Sequence, residues 1–199
     1  MTQPFRCRCG RLAGEIIDSR DSRLLVCYCN DCQAYAHALG NSEEILDDCG
    51  GTLVLSVRPR QLRLSRGREV LCCLSLTGKG LLRWYAGCCG TPIANTMRNF
   101  RFAHVGLIHS CLGSSMATVE HSYGPVRMQG FVKHATRQPP LRATRRLSAV
   151  IGLAATLLNA RLSGSYKLTP FFDVDGTPIV TPRVLSAEQL AEARTVRTA

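Results

Sequence analysis

The sequence predicts a mainly β domain followed by a C-terminal helical extension, and three observations lead there. Apolar and polar residues alternate in several short runs over residues 4–135, the period of strands with one buried face. Clusters of Gly, Pro and charged residues separate those runs, as turns do. After Pro139-Pro140 the apolar residues change to helical spacing, on the far side of a break that proline imposes.

Taken in order, the candidate strands are residues 14–18, 24–28, 52–57, 61–65, 70–76, 81–85, 93–96 and 104–108. Leu53, Leu55 and Val57 alternate with small or polar partners, and Leu62 and Leu64 do the same. The punctuation is Gly50-Gly51, Arg58-Pro59-Arg60, Arg66-Gly67 and Thr77-Gly78-Lys79-Gly80, the last three suited to hairpins. Residues 30–46 break the alternation and predict a short helix. From about 142 to 163, Leu147, Val150, Ile151, Ala154, Leu157, Leu158 and Leu162 fall on a helical period. That helix is expected to dock on the core or on a second copy of the chain, with a membrane surface as the alternative. Arg142, Arg145 and Arg146 at its start oppose the helix dipole and require some other partner. Further on, Phe171-Phe172-Asp173 and Asp175-Gly176-Thr177-Pro178 predict a strand and turn docked on an apolar surface. Ser186 and Gln189 form a capping box for a terminal helix. The division expected is a domain over 1–138 and an extension over 139–199.

The chain has 199 residues, 45% of them hydrophobic, enough for one sizeable core. No apolar run approaches the ~20 residues that span a bilayer, and the N-terminal residues lack the apolar stretch of a secretory signal. The expected compartment is the cytoplasm. The net charge of +11 is uneven: residues 1–50 carry 5 Arg against 8 Asp and Glu, and the remainder carries +14. A basic surface permits an anionic partner without demonstrating one. Aromatic residues are sparse in the basic span from Arg127 to Lys167, which argues against nucleic acid.

In a reducing compartment, 11 cysteines suggest metal binding or catalysis rather than a disulfide framework. Cys27-Tyr28-Cys29-Asn30-Asp31-Cys32 places three thiols within one tight turn. Zinc suits them, being redox-inert and comfortable in tetrahedral sulfur coordination. Three protein ligands also suggest an open position of the catalytic kind. Cys7-Arg8-Cys9-Gly10 needs partners from elsewhere in the chain, and Cys88-Cys89-Gly90-Thr91-Pro92 is the candidate. Adjacent cysteines on an extended strand face opposite ways, so both can reach one ion only from a tight turn. Cys72, Cys73, Cys49 and Cys111 read as packing residues.

The order Cys7-x-Cys9-Gly10, Cys27-x-Cys29-x-x-Cys32, then Cys89-Gly90-Thr91-Pro92 after an aromatic pair resembles the glutathione-dependent formaldehyde-activating enzyme family, which includes centromere protein V and has the Mss4-like, β-tent fold. The resemblance covers roughly residues 5–110. Gly50-Gly51-Thr52, the run from Lys79 to Ala86 and the double cysteine are closer to a bacterial branch of that family, to which Pro170-Phe171-Phe172-Asp173 would also belong. It implies that Cys7, Cys9 and Cys89 are structural zinc ligands, and that Cys27, Cys29 and Cys32 form a second, catalytic zinc site. The family supplies a cysteine where this chain has Ala86. The fourth ligand is therefore Cys88 or a cysteine of the triplet, or else the site is three-coordinate.

The function expected from the resemblance is a zinc-dependent carbon–sulfur lyase acting on a small thiol such as glutathione. The alternative is a non-catalytic, zinc-stabilised interaction module that forms homo-oligomers through the C-terminal helix. Arg83 and Arg98 are candidates to pair with the carboxylates of a glutathione-like substrate. His37, five residues after Cys32, is the one histidine expected near that site.

Overall fold

The computed structural model describes residues 2–140 and 146–195. Its strands are β1 (Gln3–Arg6), β2 (Ala13–Ile16), β3 (Arg23–Cys27), β4 (Thr52–Val57), β5 (Leu62–Arg66), β6 (Leu71–Ser75), β7 (Leu82–Ala86), β8 (Thr91–Thr96), β9 (Val105–Ile108), β10 (Met128–Gly130) and β11 (Arg183–Val184). Its helices are α1 (Asn30–Ala38), α2 (Ser42–Ile45), α3 (Met116–Tyr123), α4 (Arg146–Leu162) and α5 (Ala187–Thr195). The eight strands predicted between residues 14 and 108 are present, in a mainly β chain, whereas the strand predicted at Phe171-Phe172-Asp173 is reduced to a single bridge between Phe172 and Pro178. The additions are β1, β10 and β11, each short, and the helices α2 and α3.

The strands form a three-stranded sheet, β1-β2-β5, and an eight-stranded sheet, β10-β3-β4-β9-β8-β7-β6-β11. Neighbours run antiparallel except at the two edges, where β10 joins β3 and β11 joins β6 in parallel. Alternation along β4 sends Leu53, Leu55 and Val57 into the main core, where they meet Phe5, Leu12, Ile16 and Trp84. The other face of the large sheet is covered as well. Ala34 and Tyr35 of α1 pack there on Leu74 and Leu76, joined by Leu185 and Ala193 from the C-terminal segment. Two-sided coverage explains why polar residues on the middle strands, such as Thr52, Arg83 and Thr96, are buried rather than solvated.

The C-terminal residues close this structure. Phe171 and Phe172 are buried beside Trp84, with ring centroids 4.9 and 6.1 Å away. The turn after them is held by Asp173 and Thr177, whose backbones bond at 2.8 Å. Ser186 and Gln189 make the reciprocal capping box, at 3.1 and 3.2 Å, and α5 lies against α1. Helix α4 carries exposed Ile151, Leu158 and Leu162. Arg142 and Arg145, expected at its start, lie outside the described residues. Among the described residues no helix is long and apolar enough to cross a membrane.

His104 and His109 bracket β9. His104 Nε2 lies 2.9 Å from Ser56 Oγ, while His109 is buried with no hydrogen-bond partner at Nδ1 among the described residues.

Two outcomes follow from this packing. Phe171→Ala should cost about 3–5 kcal/mol of stability, as for other buried aromatics, whereas exposed Val174→Ala should stay within about 0.5 kcal/mol; urea midpoints measure both. Burial pushes the His109 imidazole below its ordinary range, against the opposing carbonyls of Leu53 and Glu44. Its folded-state pKa is thus below the unfolded value of about 6.5, so its contribution is complete above that pH and is lost as pH falls. The urea midpoint should therefore fall more in the wild type than in His109→Asn on going from pH 7 to pH 5.5.

Candidate metal centres

Seven of the eleven free thiols gather in two groups. Cys7, Cys9, Cys88 and Cys89 form one and Cys27, Cys29 and Cys32 the other, with all sulfurs of each group within 4.8 Å of one another. Each group can hold a metal ion.

The first group joins two loops. Cys7 follows β1, where a tight turn returns the chain: the Gly10 amide donates to the Cys7 carbonyl at 2.9 Å, and Gly10 adopts φ +75°. The Leu12 amide then points at Cys7 Sγ, 3.3 Å away. The opposing loop is the β7–β8 turn. The amides of Cys89 and Gly90 both donate to the Ala86 carbonyl, at 3.3 and 2.8 Å, and Gly90 takes φ +69°. This turn is what lets two adjacent cysteines face the same way. Thr91 ties the loops together, accepting from the Arg8 amide at 3.0 Å while its hydroxyl lies 3.1 Å from Cys89 Sγ. Ala86 itself is fully buried in the main core, and Cys88 completes the group.

The sulfur separations are 3.6 Å for Cys7–Cys9, 3.9 Å for Cys7–Cys88, 3.3 Å for Cys9–Cys88 and 3.9 Å for Cys88–Cys89. A tetrahedron of sulfurs about 2.3 Å from a metal has edges of about 3.8 Å, so the donor set matches zinc in kind and in spacing. The thiols behave unequally. Burial and hydrogen bonds with its sulfur neighbours push Cys88 up to about 12. Burial would also raise Cys89, but hydrogen bonds from Thr91 and from nearby amides outweigh it and bring Cys89 down to about 6.

The second group is local. Cys27 ends β3, and Cys29 caps α1, its sulfur accepting from the Cys32 amide at 3.3 Å. The positive end of α1 therefore faces the thiols and favours thiolate. Hydrogen bonds with Cys27 and Cys29 hold Cys32 well below the usual thiol range, and the charge of Arg83 adds to them. Hydrogen bonds to Cys29 and Cys32 and burial push Cys27 up in turn. His37 lies on α1 but does not join this group. Arg98 caps a loop instead, donating to the Gly80 carbonyl at 3.0 Å. Arg83 is not a surface residue awaiting a carboxylate: it is 2% exposed, with its guanidinium 3.9 Å from Cys32 Sγ. Of the remaining cysteines, Cys73 and Cys111 are buried in the core, while Cys49 and Cys72 are half-buried. Cys111 has its thiol 3.1 Å from the Ile108 carbonyl.

A groove of about 860 Å³ runs beside the first group, lined by Cys7, Arg8, Glu44, Thr91, His109 and Met116 among others, and by none of Cys27, Cys29 and Cys32.

Residues 1–177 match the model of a family of unknown function, DUF6151. The chain belongs to that family. No curated protein matches it. A solved Rhodobacter sphaeroides protein, a structural-genomics target, is similar at 19% identity, covering 64% of this DUF6151 chain and 99% of its own, with a TM-score of 0.43.

Glycine substitutions separate backbone strain from crowding in the four-thiol group. Gly10 and Gly90 both have positive φ, but a Cβ on Gly10 meets nothing within 4 Å among the described residues, while one on Gly90 would sit 2.8 Å from Asn41 Nδ2. Gly10→Ala should cost about 1–2 kcal/mol from the left-handed backbone alone, and Gly90→Ala should cost more, as read by urea midpoints.

Proposed function

We propose that this DUF6151 chain is a cytoplasmic zinc protein with an Mss4-like fold and two centres of different kind. Cys7, Cys9, Cys88 and Cys89 hold a closed, structural zinc. Cys27, Cys29 and Cys32 hold a second zinc with a free coordination position, at which a small thiol such as glutathione binds. The reaction is of the carbon–sulfur lyase type, as the resemblance to formaldehyde-activating enzymes implies. The observation that carries the reading is the gathering of four sulfurs within 4.8 Å of one another, four of their six separations being 3.3–3.9 Å, by residues about 80 positions apart.

Zinc at the three-thiol group would supply a cation that keeps a bound thiol ionised near neutral pH. The chain's own contributions are distinct from this. The N-terminus of α1 directs the Cys32 amide at Cys29 Sγ, Cys32 is buried, and Cys27 and Cys29 are partly accessible, so that a substrate thiol has an approach.

One observation favours a second reading, a non-catalytic interaction module. The large groove borders the four-thiol group and not the triplet, and exposed Ile151, Leu158 and Leu162 on α4 would supply a homo-oligomer face.

Metal counting distinguishes the readings. The catalytic reading expects two zinc ions per chain in the wild type, one in Cys29→Ser, and an acceleration of adduct formation from glutathione and formaldehyde over the spontaneous rate that Cys29→Ser abolishes. Cys88→Ser should lose the other zinc and lower the thermal midpoint. Two zincs with no acceleration of adduct formation by the wild type would leave the module as the function.

A further inference from the structure

Arg83 sits in the middle of β7, opposite Leu74 of β6 and Asn95 of β8. Only 2% of its surface is exposed. One guanidinium nitrogen lies 3.9 Å from Cys32 Sγ and 3.4 Å from Asn95 Oδ1, and the group stands 5.0 Å from the centroid of the Tyr35 ring. Among the described residues no Asp or Glu pairs with it. A buried guanidinium is tolerated when a compensating charge is close and its protons are satisfied. The amide oxygen of Asn95 and the face of Tyr35 are neutral. The anion within reach is the sulfur of Cys32.

We propose that Arg83 is the positioning residue of the three-thiol centre, its buried charge neutralising the one excess negative charge that three thiolates leave around a divalent cation. This rests on the reading of that group as a metal centre. The charge balance follows directly: three thiolates and a dication sum to −1, and the guanidinium brings the buried unit to zero. A fourth thiolate would leave it at −1 again. The four-thiol group, with Cys9 exposed, can leave its surplus charge to solvent. Arg83 thus brings a three-sulfur set to neutrality and lowers the cost of a further thiolate at the open position. Tyr35 holds the guanidinium by its π face, and Asn95 takes one of its protons.

The test uses full-length protein loaded with zinc and titrated with a chromogenic chelator, with cobalt(II) substitution as the spectroscopic readout. Arg83→Met should weaken zinc at the three-thiol centre by about 10–100-fold, the usual effect of removing a partner of a metal ligand, and should change the sulfur-to-cobalt charge-transfer bands of that centre. Zinc at the four-thiol centre should be retained, which also reports that the chain is folded. Arg83→Lys should recover most of the affinity by restoring the charge. Should Arg83→Met fail to fold, Asn95→Asp gives the same information: the new carboxylate captures the guanidinium, and zinc should weaken at the three-thiol centre alone. Two zincs bound as tightly in Arg83→Met, or in Asn95→Asp, as in the wild type would overturn the role of Arg83 while leaving the second centre standing. A wild-type chain that binds a single zinc, retained in Cys29→Ser, would overturn the centre itself and this role with it.

Discussion

Strand β7 is buried on both faces, and the positions of both cysteine groups depend on that double burial. Trp84 points into the main core, where Phe171 and Phe172 close over it, and its indole nitrogen is satisfied by Thr96 at 2.9 Å. Arg83 points the other way, beneath α1, whose first turn carries Cys29 and Cys32. Beyond Ala86 the strand turns sharply and delivers Cys88 and Cys89. One five-residue strand therefore fixes one thiol group at its end and the charge environment of the other at its centre. Moving β7 by one residue would exchange Trp84 for Arg83 in the apolar core, so its register is strongly determined.

The two faces of that strand differ in what covers them. The Trp84 side is sealed mainly by apolar contact, with the indole nitrogen satisfied by Thr96, and contributes stability in proportion to area removed from water. The Arg83 side holds a cation, a tyrosine face and thiols, groups whose burial is favourable only in combination. A basic chain of net charge +11 does not need another buried cation for solubility. Arg83 is better understood as a local device than as part of the surface charge that dominates the second half of the chain.

Much of this was legible in the sequence. Strand positions could be read because period-2 alternation and Gly or Pro punctuation are local signals, and the Ser186–Gln189 capping box is local as well. β10 and β11, of three and two residues, are too short to carry a period, and both are held by parallel pairing to distant strands. β1 was hidden by Pro4 and by the cysteines that follow it. The composition of both thiol groups was readable from spacing and resemblance, and Cys88 was among the candidates for the fourth position; what spacing left open was the choice between it and a cysteine of the triplet, because that depends on a turn that brings two adjacent side chains to one side. Arg83 was misjudged for a related reason. An arginine in a strand ordinarily faces solvent, and nothing near it in sequence announces that α1 and α5 cover that side of the sheet.

The two groups also differ in what they do to the unfolded chain. Cys7 and Cys88 are 81 positions apart, so tying them together restricts the denatured ensemble much as a cross-link does, by about 4–5 kcal/mol in the chain-entropy view of a loop that long. Cys27, Cys29 and Cys32 span six residues, and joining them removes little chain entropy. A metal held there would concentrate stability where four sulfurs meet across the fold, and its coordination could be closed without loss. The local group contributes little to holding the chain together. Its sulfurs are set by the end of β3 and the first turn of α1, so a change in what they coordinate leaves the sheet undisturbed. An exchangeable ligand belongs at such a group, and the long-range group is where exchange would threaten the fold.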